Sequence, residues 1–269
     1  MDHAIQVKLL GVRGTVPVYG PEFAQFGGAT SCVLVHAGGE TVILDAGTGL
    51  SGRAWQDFFP NKRFSVLITH AHVDHLMGFP IFPPLFDGGC QCDVYLKTRE
   101  GCSGRAQVEA LMAPPLWPIR TNALKAETRF HDVKDAFSIG PVVVETMDSL
   151  HPGGSTIYKL FYGGTSVVYA TDYEPESDAP EDFCSFAQGC SLLLLDAQYT
   201  AEEYSYTKGF GHSTIGRSVA IGAACGARQT LLVHHDPKRT DEQLLELERS
   251  IQEQNPRIRF GRGGEEVFL

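Results

Sequence analysis

The sequence predicts an α/β protein (α+β by some schemes) built as an αββα sandwich. Two mixed β-sheets would pack face to face with helices on the outer faces, in a single domain over 1–269. Three observations predict it. Apolar strand-like runs fall in two groups, within 5–96 and 139–195, and helical sequence follows each group. No Gly/Ser/Pro-rich linker parts the two halves. Residues able to bind metal or move protons recur where the apolar runs end, so they would gather at one edge of the sandwich.

Composition narrows the class. A chain of 269 residues, 43% hydrophobic and 20% charged, can bury a sizeable core. No apolar run approaches the ~20 residues of a membrane span, so no membrane partner is expected. Residues 1–10 lack the basic-then-apolar form of a signal peptide. The seven cysteines are scattered. Only Cys90-x-Cys92 lie close together, which indicates neither a disulfide framework nor a thiolate zinc site and implies a reducing cytoplasm. The formal net charge is −10 with no Lys/Arg run, and each phosphate neutralised on a nucleic acid needs a nearby cation. A long nucleic acid is therefore not the expected partner.

Taken in order, residues 5–10 alternate as a first strand and run into Gly11-Val12-Arg13-Gly14-Thr15. The Gly-flanked Arg13 reads either as a contact to an anionic substrate or as a turn arginine on the surface. Gly27-Gly28-Ala29-Thr30-Ser31-Cys32 opens a second strand through Val35. The buried run 41–45 ends in Asp45 and a glycine turn. A buried carboxylate needs a partner, so Asp45 is expected to orient a metal-ligating histidine, with turn capping as the alternative. Strand 64–69 then delivers His70-Ala71-His72-Val73-Asp74-His75. Residues two apart in extended chain point the same way, so His70 and His72 can converge on one ion. A helix starting near Val73 would aim Asp74 and His75 at a second. Imidazoles plus a carboxylate, without cysteine, suit zinc in an open catalytic site.

A further strand is expected at 94–96. The segment 99–129 is irregular, with a short helix in 105–112 and a stiff Pro114-Pro115-Leu116-Trp117-Pro118 loop. It reads equally as a lid over the site or as a loop packing Trp117 on the core. Strand 141–147 precedes Ser149-Leu150-His151-Pro152-Gly153-Gly154, run 167–172 ends in Asp172, and run 192–196 ends in Asp196. Gly209-Phe210-Gly211-His212-Ser213-Thr214 precedes an alanine-rich helix, with Ser213 or Thr214 as its N-cap and Gly226 as its stop. Strand 230–233 ends in His234-His235-Asp236-Pro237. Thr240-x-x-Gln243 has the form of a capping box, followed by Leu244, Leu247 and Ile251 on one helix face. A closing strand is expected at 266–269. His3, His36 and His131 have no ligand-spaced neighbours.

His70-x-His72-x-Asp74-His75 after an apolar strand resembles the signature of the metallo-β-lactamase superfamily, and the likeness runs along nearly the whole chain. It resembles the phosphodiesterase branch (tRNA 3′-processing nucleases, cyclic-phosphate phosphodiesterases) more closely than the lactamases. The resemblance implies an αββα metallo-β-lactamase sandwich and two zinc ions, with Mn²⁺ or Fe²⁺ as replacements left open. One ion would take His70, His72, His151 and Asp172, and the other Asp74, His75, His234 and the shared Asp172. His234, three residues before Pro237, takes the ligand place rather than His235. Asp196 is a further orienting carboxylate. Two such ions lie roughly 3.5–4 Å apart and hold a water acidified to about pKa 7, whose hydroxide Asp74 would help to orient.

His at position 72, where the superfamily's di-iron oxygen reductases carry a carboxylate, disfavours redox chemistry. Gly211-His212-Ser213-Thr214 resembles a phosphodiesterase-branch motif whose histidine assists the leaving group. The Gly/Pro-rich arm of a tRNA-processing nuclease is not evident. The expected function is a di-zinc phosphodiesterase on a small cyclic nucleotide or cyclic phosphate ester, with a homodimer left open. The alternatives are a carbonyl hydrolase (thioester, lactone or lactam) on the same centre, or a metal-binding sensor with little turnover.

Overall fold

The computed structural model describes residues 4–51 and 61–269, so His3 lies outside the described residues. Two seven-stranded sheets face each other. In the first, β1 (Ile5–Gly11), β2 (Cys32–Ala37) and β3 (Glu40–Leu44) pair antiparallel, with β14 (Glu266–Phe268) antiparallel on the outer side of β1. Beyond β3 the sheet turns parallel through β4 (Arg63–Leu67), β5 (Gln91–Tyr95) and β6 (Glu127–His131). The second sheet repeats this plan. Strands β7 (Ala136–Ile139), β8 (Val142–Ser149), β9 (Ser155–Tyr162) and β10 (Thr165–Ala170) pair antiparallel. Strands β11 (Leu192–Asp196), β12 (Gln229–Val233) and β13 (Ile258–Phe260) then follow in parallel. Both sheets are thus mixed, as the sequence predicts.

Strand alternation divides the apolar side chains between the two faces. Val42 and Leu44 point into the core between the sheets, against Leu160, Tyr169 and Leu194, while Ile43 points outward. On β11, Leu192 and Leu194 enter the same core, and Leu193 and Leu195 meet the helices. A strand covered on both faces carries an unbroken apolar run, which explains Leu192-Leu193-Leu194-Leu195. Outside the first sheet lie the one-turn α1 (Val73–Leu76) and α2 (Gly104–Leu111). Outside the second lie α3 (Glu181–Ala187), α5 (Ile215–Ala224) and α6 (Asp241–Gln254), with α4 (Ala201–Thr207) preceding the loop to α5. Among the described residues no helix is long and apolar enough to cross a membrane.

Several local signals hold. Thr214, not Ser213, caps α5 by accepting from Arg217 N–H, and Gly226 follows its end at φ 63°. Thr240 and Gln243 form the capping box of α6. The sequence reading missed β6, β7, β9, β13, α3 and α4. The 99–129 segment holds α2 and a 3₁₀ turn at Thr121–Ala123, and Leu111, Trp117, Ile119 and Leu124 pack on the outer core of the first sheet.

Candidate metal centre

The parallel halves of both sheets end at the same edge, and the chemistry gathers there. Parallel strands present ligands from the loops after their carboxyl ends. Here β3 is followed by Asp45, β4 by 70–75, β10 by Asp172, and β12 by His234, β11 ends on Asp196 itself, and His151 follows β8, which pairs antiparallel but runs in the same direction as β10. Asp45, Asp172 and His234 leave their strands at φ 59°, 54° and 61°. That left-handed backbone is uncommon outside glycine and turns each side chain sharply off its strand line; Asp and His tolerate it better than most residues.

All seven residues expected as ligands come together. Ligand atoms of His70, His72 and His151 lie within 4.8 Å of one another, as do those of His70, His75 and Asp172, and those of Asp74, His75 and His234. Asp172 sits between the groups. Its Oδ1 is 3.7 Å from His70 Nε2 and 3.4 Å from His151 Nε2, and its Oδ2 is 3.1 Å from His75 Nε2 and 3.3 Å from His234 Nε2. Asp74 Oδ2 lies 3.3 Å from both His75 Nε2 and His234 Nε2 and accepts the Thr15 N–H at 2.7 Å.

Four rings are held from behind at Nδ1. His75 faces Asp45 at 2.7 Å, His70 faces Thr69 Oγ1 at 3.0 Å, His151 faces the Pro152 carbonyl at 3.0 Å, and His234 faces Gln198 Oε1 at 3.0 Å. Asp45 is held in turn by Thr69 N–H at 2.8 Å and by Tyr169 Oη from the opposite sheet at 3.0 Å. Space is tight: a Cβ at Gly14 would meet the His234 ring at 2.5 Å, and one at Gly211 would meet His151 Cδ2 at 2.2 Å. Thr15, Thr69, Tyr169 and Gln198 were missed from sequence. Thr69, adjoining His70 at a strand end, and Gln198, two residues past Asp196, carried the available signal.

The electrostatics fit a cation. Asp45, Asp74, Asp172 and Asp196 are all buried, and among the described residues their ion-pair partners are imidazoles only. Burial opposes ionisation of Asp74, yet His75 and His234 hold its carboxyl well below the usual range. Asp172 behaves alike, burial being outweighed by His234, His75 and His70. Burial drives His70 down, with His75 adding to the effect. His70 Nε2 and His75 Nε2 are buried without a hydrogen-bond partner, and each offers a lone pair to a metal once its proton has left. A set of imidazole nitrogens and carboxylate oxygens without sulfur suits zinc, and also Mn²⁺ or Fe²⁺.

His212 lies beside the cluster, 9% exposed. Its Nδ1 is 2.9 Å from Asp196 Oδ2 and 3.9 Å from Asp172 Oδ1, and its ring stacks on His234 at 4.9 Å. Burial pulls its pKa down, but Asp196, with Asp172 and Asp74, outweighs burial and lifts it to about 9. Asp196 also accepts the Asp172 and Ser213 N–H groups, each at 3.0 Å.

Arg13 is a correction. It reaches no substrate space and is no surface turn residue: it is fully buried. Its Nε donates to Gly27 O at 2.8 Å and its Nη1 to Arg239 O at 2.7 Å and Asp236 O at 3.2 Å, with Asp241 3.8 Å from Nη2. Burial lowers its pKa to about 10 against the pull of Asp241. It ties the loop after β1 to the loop before α6. His235 turns away from the cluster, its Nε2 2.9 Å from Gly261 O and its ring between Phe26 and Phe260. His36 meets Thr41, and His131 meets Asp93 at 2.6 Å, both away from the centre.

Fold and site define a protein of the metallo-β-lactamase fold whose buried His/Asp clusters could hold metal. The chain belongs to the β-lactamase superfamily: the family described as Beta-lactamase superfamily domain matches residues 40–235. Ribonuclease Z of Bradyrhizobium diazoefficiens is 22% identical, over 79% of this chain and 86% of its own length. The metallo-β-lactamase fold protein YhfI from Bacillus subtilis superposes with a TM-score of 0.73 at 19% identity, covering 98% of this chain and 99% of its own. A diphosphatase from the PhnP family superposes with a TM-score of 0.72 at 18% identity, covering 98% of each chain.

Proposed function

We propose that this chain is a di-zinc phosphodiesterase hydrolysing a small cyclic nucleotide or cyclic phosphate ester. The observation that carries this reading is His212, held at Nδ1 by Asp196 at the wall of the ligand cluster. A thioester hydrolase has less need of it, because a thiolate leaves without a dedicated acid. His70, His72 and His151 would hold one ion, Asp74, His75 and His234 the other, and Asp172 both. Metal bound there supplies Lewis acidity towards the phosphoryl oxygens and acidifies the attacking water. The chain's own residues do the rest. Asp74, fixed by the Thr15 amide, orients the nucleophile. His212 donates its Nδ1–H to Asp196, so its Nε2 is the position that hands a proton to the departing alkoxide.

The ribonuclease Z relatives favour a second reading, cleavage of RNA. One comparison decides between them. Zinc-loaded protein is assayed on a 2′,3′-cyclic nucleotide, bis(p-nitrophenyl) phosphate, a thioester and a folded precursor RNA. Faster turnover of the two small diesters is expected. Turnover led by the RNA would establish the second reading, and turnover led by the thioester would remove both.

A further inference from the structure

We propose that the cavity beside His151 receives a single uncharged nucleoside, so that the substrate is a mononucleotide diester rather than a nucleic-acid chain. This rests on the diesterase reading and names its substrate class. The cavity measures about 610 Å³, within the range of small-ligand sites. His151 lines it, and so does Gly209, three residues before His212, so a group seated there adjoins the reacting phosphate. Pro152 separates it from a smaller cavity of about 290 Å³ beside His70 and His72.

The walls of the larger cavity specify what fills it. Leu150, Pro152 and Pro175 supply apolar surface. Tyr204 supplies a ring that is already fixed: its hydroxyl donates to Glu174 Oε1 at 2.7 Å, and the Arg217 guanidinium lies 5.3 Å from its centroid. A fixed aromatic ring is the usual platform on which proteins stack a nucleobase. The charges balance, with Glu174 and Glu176 against Lys208 and Arg217. Glu174 is occupied by Tyr204 and by the Gly209 and Gly211 amides at 2.8 Å each. Arg217 is occupied by Asp178 at 3.2 Å and the Pro175 carbonyl at 2.9 Å. Glu176 remains to accept from sugar hydroxyls, and Lys208 offsets it. A channel for a polyanion needs an excess of cations, and this cavity has none.

The test compares kcat/KM for thymidine 5′-(p-nitrophenyl phosphate) with that for methyl p-nitrophenyl phosphate, whose nucleoside arm is cut to a methyl group. The ratio cancels any general loss of activity. Wild type should favour the thymidine ester by about tenfold, the size of one base-stacking contact. Tyr204→Ala should bring the ratio towards one. Leu150→Trp, at a position 52% exposed where folding is spared, should do the same by filling the cavity. A wild-type ratio near one, or a ratio unmoved in both variants, overturns the proposal. So does a further gain when the thymidine carries a 3′-phosphate, which would point to nucleic acid. Calorimetric binding of thymidine 5′-monophosphate separates the two levels. If neither ester turns over but Leu150→Trp weakens that binding, the cavity assignment stands and the diesterase reading falls.

Discussion

An imidazole ligates well when its ring is held and the proton on its other nitrogen has an acceptor. Four rings here satisfy that condition through four different partners, a carboxylate, a hydroxyl, a carbonyl and an amide oxygen. Asp172 is the residue both groups share. Asp172→Ala should therefore lower metal content at both positions, while Asp74→Ala should empty mainly one, because His75 and His234 are the imidazoles that Asp74 meets. Elemental analysis reads this directly, and full occupancy in Asp172→Ala would remove the bridging role. His212 gives a sharper test. An alkoxide leaves poorly without a proton, whereas nitrophenolate leaves readily, and a placed acid is worth roughly 10²–10⁴-fold in rate. His212→Ala should keep its metal, lose most activity on a cyclic or alkyl diester, and lose far less on the nitrophenyl ester. Equal losses on both substrates would make His212 a packing residue. At this scale His70, His72, Asp74 and His75 were legible because their spacing is local, whereas His151, Asp172 and His234 became ligands only through the family resemblance. Arg13 was not: glycines flank a buried arginine and an exposed one alike, and its acceptors include carbonyls 14 and 226 residues away in the chain.

Elements were legible where they carried a boundary or an apolar run. Helix α6 is the clear case. Thr240 accepts from Gln243 N–H, Gln243 reaches back to the Thr240 N–H, and Leu244 and Ile251 are buried. Thr240→Ala should cost about 1 kcal/mol of stability, measurable as a lowered midpoint in urea at unchanged slope. A shift below a few tenths would mean that the helix is held by its packing alone. The capping box Thr200/Glu203 of α4 carried the same signal and was passed over. Helix α3 gave none, since Pro180 caps it without a side-chain hydrogen bond. Strand β6 is polar and lies at the sheet edge, so Glu127-Thr128-Arg129-Phe130-His131 shows little apolar pattern. Strand β13 spans three residues, too few for any period. The segment 99–129 was readable only as irregular, and Trp117 packs on the core as one of its two readings held.

At the scale of the whole molecule, each sheet runs antiparallel and then parallel, and the equivalent turning strands β3 and β10 are each followed by an aspartate with left-handed backbone. Asp45 and Asp172 thereby face the same edge from opposite sheets, and Tyr169 Oη links the two sheets by donating to Asp45. The arrangement concentrates four carboxylates in the core edge with imidazoles as their counter-charges, so folding without metal must draw protons onto histidine. His212 is lifted to about 9 and His75 well above its ordinary value, each because neighbouring carboxylates outweigh burial. A group with a raised folded pKa stabilises fully below its unfolded value, about 6.5 for histidine, and that contribution disappears as pH rises through the folded value. Chelator-stripped protein should therefore lose thermal stability between about pH 6.5 and 9. Bound zinc reverses the dependence, because ligating imidazoles must be neutral and protons leave as metal enters. The gap in Tm between zinc-loaded and stripped protein should widen from pH 6 to pH 9. Scanning calorimetry at three pH values across that window reads both curves. A stripped-protein Tm that rises over the window would show that the carboxylates are not neutralised by histidine, and would place the balancing charge elsewhere in the molecule.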